Sequence, residues 1–344
     1  MLSTVNSEIV VALDAMGGDF APLSMIRGAN FFLNNLLDHN TKVFFYIYGD
    51  QQKVLPLLSK YKKVNDNSEF THCSDNVLAN DKPSFALRRR KDSSMKAAIE
   101  AVKHGKASGV VSSGNTGALM AISRFVLGTL PNIYRPAIVS ICPTKSKSFA
   151  LLDLGANVDC NADSLFQFAL MGSIFAKIAL KVDSPKVALL NIGTEEVKGT
   201  DAIRGAFELL QNIPGINFTG YIEASEFLEG NVDVIVADGF VGNVMLKTAE
   251  ATASTFIHLI KQGLFNSCTG KVLGVLLKPK LNKVLMRFNP KVRSGAMFLG
   301  LNGIVIKSHG NSDAVSFAHA IKFAVHSIRE NLNQKIINGV NSIE

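Results

Sequence analysis

Glycine recurs beside hydroxyl, amide, ammonium or imidazole groups at five places in the 344-residue chain, each time after a run of apolar residues. The first reads Asp14-Ala15-Met16-Gly17-Gly18 and reaches Pro22. Its two glycines permit close backbone approach, and proline suits a first helical turn. The second, Ser112-Ser113-Gly114-Asn115-Thr116-Gly117-Ala118, adds hydroxyls and an amide to the backbone donors, as a clamp for an anion or a carbonyl would. The third, 191–199, brings Lys198 beside glycines; the fourth, 237–247, holds Gly239, Gly242 and Asn243; the fifth, 307–313, holds Lys307 and His309. Taken singly, each is also ordinary turn or N-cap chemistry. Together they exceed what connections require, and they predict an anionic ligand bound at one mouth.

Several chemistries lack their signatures. There is no GxxxxGK[ST] loop, and no strict GxGxxG follows a strand with an acidic residue at the expected distance, which disfavours nucleotide hydrolysis and dinucleotide binding. Without GxSxG or a catalytic-cysteine pattern, an acyl-enzyme intermediate has no obvious nucleophile, so direct transfer is the simpler expectation for an acyl group. Cys73, Cys142, Cys160 and Cys268 lie far apart with no CxxC pair, and are read as reduced and mostly buried.

The elements that must hold these loops alternate in kind. Short apolar runs at 9–15, 42–48, 109–112, 137–142, 149–154, 186–192, 217–222, 232–237 and 303–307 predict strands, and longer stretches of helical period lie between them. This is the pattern of a βαβ architecture with a largely parallel sheet, in which ligands sit at the carboxyl ends of strands. Helices are expected over 93–103, capped by Ser93 or Asp92, and over 164–180, which is apolar around most of its circumference and so predicted buried. No repeat or long linker divides the chain, so one α/β unit of intertwined lobes over 1–344 is expected.

The formal charge of +8 is unevenly spread. No acidic residue lies between Glu250 and Asp313, an interval with nine Lys and Arg, and such a segment attracts anionic lipid, nucleic acid or an acidic protein. After Phe256 the sequence reads as short amphipathic helices punctuated by Gly263, Gly270 and Pro279. Apolar Leu264, Phe265, Val272, Leu273, Val275 and Leu276 fall near their junction, giving either a greasy basic tip over 256–286 or a core hairpin with solvated lysines. No apolar run is long enough to span a bilayer, and the N-terminus lacks a basic leader, so a cytoplasmic location is expected.

The motifs Ala-Leu-Asp-Ala-Met-Gly-Gly-Asp at 12–19, Leu-Arg-Arg-Arg-Lys-Asp-Ser-Ser-Met at 87–95 and Ser-Gly-Asn-Thr-Gly-Ala at 113–118 resemble the bacterial phosphate acyltransferase family, PlsX. So do Arg135-Pro136-Ala137, 152–157, 238–243 and 303–310, in order along the chain. Two loops depart from the family pattern: Gly-Glu-Glu-Glu-Gly-Lys-Gly reads Gly-Thr-Glu-Glu-Val-Lys-Gly at 193–199, and Glu-Gly-Arg or Glu-Gly-Asp reads Glu223-Ala224-Ser225.

The resemblance implies a three-layer αβα fold with a mostly parallel sheet, similar to isocitrate and isopropylmalate dehydrogenases and to phosphotransacetylase. It also implies a homodimer, peripheral attachment to anionic membrane through the helical tip, acyl carrier protein as donor and inorganic phosphate as acceptor, with acyl phosphate passing to phospholipid synthesis. No metal, cofactor or nucleic acid is expected.

On this reading Asp14, Gly17, Gly18, Ser113, Gly114, Thr116, Gly239 and Gly242 bind phosphate or the thioester. Lys198 and Lys307 offset negative charge, and Asn115, Asn243 or His309 donates to the developing oxyanion. Arg88, Arg89, Arg90 and Lys91 form a dock for an acidic carrier or a solvated face. The alternatives are a phosphotransacetylase-like enzyme using acyl-coenzyme A and a non-catalytic basic membrane-binding protein.

Overall fold

Alternating burial along the strands separates the side chains into two cores. Val11 and Leu13 point into one and Ala12 into the other; Ile304 and Ile306 oppose Val305 in the same way. That period of two marks a sheet buried on both faces. The computed structural model describes residues 8–265 and 295–342.

The elements are β1 (Ile9–Asp14), α1 (Leu23–Asn35), β2 (Val43–Gly49), α2 (Gln51–Lys60), α3 (Lys62–Asn65), β3 (Ser68–His72), α4 (Pro83–Arg89), α5 (Ser94–Lys103), β4 (Gly109–Ser112), α6 (Thr116–Leu127) and β5 (Ala137–Pro143). There follow β6 (Ser148–Leu152), α7 (Ala162–Ala179), β7 (Lys186–Asn191), α8 (Asp201–Gln211), β8 (Asn217–Glu223), β9 (Val234–Val236), α9 (Gly239–Phe265), β10 (Ala296–Leu299), β11 (Ile304–Lys307), α10 (Ala314–Arg329) and α11 (Leu332–Asn341). All the strands join one sheet in the order β3-β2-β1-β4-β11-β10-β5-β6-β9-β7-β8. With helices on both faces, it is the α/β, mostly parallel architecture expected.

Three antiparallel pairings in the middle of the sheet, β11 with β10, β10 with β5 and β5 with β6, divide the parallel runs. Strands β1, β4 and β11 therefore run opposite to β6, β9 and β7. Their carboxyl ends emerge at opposite edges, which corrects the expectation that all five loops share one mouth.

One face is covered by α1, α7, α8, α10 and α11, whose Phe32, Phe168, Phe175, Phe317 and Ile336 are buried against it. The other is covered by α5 and α6 over the first half, with Met95, Ile99, Leu119 and Ile122 buried. There α9 contributes only the partly buried Met245 and Leu246. The middle strands on this second face have α6 on one side and α9 on the other, with a gap between.

Two strands, β3 and β10, were not among those expected; β3 is largely exposed, without the apolar run that marks the others, and β10 is a short run of four residues. The helix expected to follow the 237–247 loop and the short helix read separately after Phe256 are one helix, α9, continuing through Gly263. Asp238 caps it by accepting from Val241 N at 2.8 Å, and no proline or glycine interrupts it between Asn243 and Gln262. Leu264 and Phe265 close α9. Val272, Leu273, Val275 and Leu276, and most of the expected 256–286 tip, lie outside the described residues. Among the described residues no helix is long and apolar enough to cross a membrane.

Candidate active site

Three of the five loops interlock where β1, β4 and β11 end. Asp14, the last residue of β1, is buried and accepts hydrogen bonds from Ser94 Oγ and Ser112 Oγ, both at 2.6 Å, and from Met16 N at 3.3 Å. Burial pushes its carboxyl pKa up, and those bonds pull it partly back. A Cβ on Gly17 would lie 2.6 Å from both Asp14 Oδ2 and Gly114 N, so only glycine fits. Gly18 has φ +98°, and Asp19 N donates to the Gly310 carbonyl at 2.8 Å, tying the first loop to the fifth.

Into this knot come the Lys307 ammonium group and the Ser113 hydroxyl. Lys307 is buried, and its Nζ donates to the Ser113 carbonyl at 3.3 Å and to the Ser308 carbonyl. Burial lowers its pKa to about 8, with Asp14 opposing the shift and Lys247 adding to it. Ser113 Oγ is buried and has no hydrogen-bond partner. A buried hydroxyl left open on the residue whose carbonyl binds the ammonium group is where an anionic oxygen would be held.

From this head a groove of about 1400 Å³ opens between α6 and α9. Its floor is Ile138, Ser140, Cys142, Leu151 and Ala296 of the middle strands; its walls include Met120 and Ala121 of α6 and Val244, Ala253 and Phe256 of α9. Thr116, Lys307, Ser308 and His309 line the head end, and Leu154, Gly155 and Asn243 lie toward the opposite edge. At about 300–1,000 Å³ a small-molecule pocket would be smaller; this one has room for a polar head and a long apolar tail.

A family model described as Fatty acid synthesis protein matches residues 9–335. A phosphate acyltransferase of Wolbachia sp. subsp. Drosophila simulans (strain wRi) is 84% identical, covering 100% of both chains. One from Ehrlichia ruminantium (strain Gardel) is 58% identical over 97% of this chain and 98% of its own. The chain belongs to the phosphate acyltransferase family. A phosphotransacetylase from Streptococcus pyogenes aligns with TM-score 0.59 at 16% identity, covering 94% of each chain, and at that identity the likeness is one of fold alone.

For this phosphate acyltransferase family member the structure sorts the residues singled out from sequence. Asp14, Gly17, Gly18, Ser113, Gly114, Lys307 and His309 come together at the head, with Thr116 at its rim. The Asn115 side chain is engaged elsewhere: its Oδ1 accepts from Ala118 N at 3.0 Å, capping α6, and its Nδ2 donates to the carbonyls of Ala79 at 2.8 Å and Asp81 at 3.0 Å.

Gly239 and Gly242 belong to the opposite edge. Gly239 N donates to the Asn157 carbonyl at 2.7 Å, and a Cβ on Gly242 would collide with the Asp153 carbonyl, so these glycines let α9 sit on the Asp153 turn and hold no phosphate. Asn243 follows at that end of the groove, away from Lys307. Lys198 is exposed after β7, five strands from β11 and antiparallel to it, so the two lysines are not brought together. In the basic run, Arg88, Arg89 and Lys91 are exposed, but Arg90 is committed to Asp75 at 3.0 Å and Asp81 at 2.9 Å.

Sequence reasoning included Ser94, Ser112 and Ser308 in its motifs and loops without naming them as site residues, although their hydroxyls or carbonyl build the head, and it did not name the pair Lys247 and Glu250 on α9. The serines had a signal: each lies beside or within a motif already marked, at 87–95, 113–118 and 303–310. Lys247 ends the marked stretch 237–247, whereas Glu250 had no signal, because helix direction places it there.

Proposed function

We propose that this protein transfers a long-chain acyl group from an acyl-carrier-protein thioester to inorganic phosphate, releasing acyl phosphate for phospholipid synthesis. The observation that carries this reading is the buried Lys307 and unpartnered Ser113 hydroxyl at the head of an apolar groove. Phosphate sits against Lys307 Nζ, Ser113 Oγ and the glycine backbone of the first two loops. The acyl chain lies between α6 and α9, where each buried methylene contributes about 0.8 kcal/mol to binding.

Phosphate already has nucleophilic oxygens and the carrier thiolate is a good leaving group, so positioning and charge control dominate catalysis. The groove mouth supports a carrier dock on the adjacent α4, since Pro83 at its start lines the groove and Arg88 and Arg89 in its last turn are exposed. The acid-free stretch after Glu250 supports peripheral contact of a cytoplasmic enzyme with anionic membrane, and a homodimer completes the proposal.

Purified protein mixed with palmitoyl carrier thioester and phosphate tests the reading, with free thiol followed and acyl phosphate trapped by hydroxylamine. Phosphate-dependent formation of both products is the expected result; neither product, beside an active control enzyme, ends the proposal. A coenzyme A donor is the second reading, favoured by the shared fold with phosphotransacetylases. A higher rate with palmitoyl-coenzyme A than with the carrier thioester would select it.

A further inference from the structure

Proton bookkeeping at the head leaves one job unfilled. Hydrogen phosphate and a thioester give acyl phosphate and a thiol: an oxygen of phosphate bonds to the carbonyl carbon, the carbon–sulfur bond breaks, and the proton of hydrogen phosphate ends on sulfur. No net proton is consumed, so beyond positioning and charge control a group that accepts the proton during attack and returns it to sulfur would speed the transfer. Lys307 is fixed to the carbonyls of Ser113 and Ser308 and serves as the cation.

His309 lies two residues on and is nearly half exposed, lining the groove. Its Nε2 is 3.7 Å from Glu250 Oε1 on α9, while Glu250 Oε2 accepts from Lys247 Nζ at 3.0 Å. The carboxylate is thereby held between the imidazole and an ammonium group, on a helix that starts at the far edge of the sheet.

We propose that Glu250 is the positioning residue for a His309 proton shuttle, in which the imidazole takes the proton of hydrogen phosphate during attack and gives it to the departing thiolate. The inference rests on the phosphate acyltransfer reading above. Glu250 keeps the ring turned to the groove and stabilises the imidazolium formed between the two transfers, as a buried carboxylate does for histidine in hydrolase triads. The charged groups acting on the ring are Glu250 and Lys247 of α9 and Lys307 of β11. Burial lowers the imidazole pKa below 6.5, Glu250 opposes that, and the two lysines reinforce it, so the resting ring is the neutral base the shuttle requires.

The test is steady-state kinetics across pH with palmitoyl carrier thioester and phosphate, together with NMR titration of the His309 ring. Glu250→Gln should lower kcat about 30-fold with both KM values within about twofold, within the range for general acid–base groups. It should also move the acid limb and the His309 titration to lower pH, because the carboxylate that raised the pKa is gone. Glu250→Asp should recover part of kcat, and the double variant with His309→Gln should be no slower than His309→Gln alone. Wild-type kcat in Glu250→Gln, an unmoved His309 titration, or additive losses in the double variant overturns the shuttle. Should Glu250→Gln fail to fold, the His309 titration in Glu250→Asp, whose carboxylate is withdrawn by about 1.5 Å, decides it, an unmoved value counting against. A wild type that forms no acyl phosphate removes the acyltransfer reading instead.

Discussion

Asp14 and Asp153 look alike in the sequence: each ends or follows a central strand, each is buried, and each is followed within three residues by glycine. Their partners make them different things. Asp14 accepts from two serine hydroxyls and lies in the field of Lys307, beside a hydroxyl with no partner. Asp153 accepts from the backbone amides of Ile138, Ala156 and Asn157 and from Asn157 Nδ2, at 2.7 to 3.1 Å. Burial raises both carboxyl pKa values, and the bonds made to each oppose it. A carboxylate ringed by backbone amides is a fastener. One held by two serine hydroxyls in the field of a buried lysine is part of a site still open to a ligand.

The sharpest way to break that contrast is at Lys307. Lys307→Met should lower turnover about 1,000-fold, equivalent to about 4 kcal/mol of transition-state stabilisation, in the hydroxylamine assay. Thermal melting should not fall, because the variant removes a desolvated charge. The pH dependence follows in sign: with the folded pKa lowered to about 8 from 10.5, the unfolded chain holds the extra proton between those values. Wild-type stability should therefore rise across that window relative to Lys307→Met, while wild-type activity falls above about pH 8 as the ammonium is lost.

Asp153→Asn should do the reverse, lowering unfolding free energy by about 3 kcal/mol in denaturant titration, because an amide nitrogen would face N–H donors. Its residual folded fraction should retain normal phosphate KM. Ser113→Ala should raise phosphate KM about tenfold, the equivalent of about 1.4 kcal/mol, with stability unchanged or slightly improved, since the lost hydroxyl has no partner in the free protein. The smallest effect is expected at Asn115→Ala, about 1 kcal/mol of stability from the lost cap on α6, read from the denaturation midpoint.

Residue types and spacing made the first, second and fifth loops legible, because apolar runs end there and glycine with polar groups begins. What they did not carry was the direction of the strands. A signal did exist: only six residues separate the predicted strands 137–142 and 149–154, too few for a parallel crossover, so a hairpin was required. That hairpin turns at Thr144, whose amide donates to the Lys147 carbonyl at 2.8 Å, and it sends the Lys198 and Gly239 loops to the other edge. The commitments of Asn115 and Arg90 were not legible, because their partners at 75–81 are chosen by tertiary packing.

Helix α9 also has a mechanical side. It is seated at Gly242 against the Asp153 turn, passes Glu250 about 12 Å along, and ends at Phe265 about 35 Å along. Treated as a straight rod pivoting at its seat, it is a lever with a ratio of about three to one. A sideways pull of about 3 Å on its outer end would carry Glu250 by about 1 Å, about a quarter of the 3.7 Å that separates it from His309. Load applied at the far end of the rod is thus delivered, geared down, to the groove mouth.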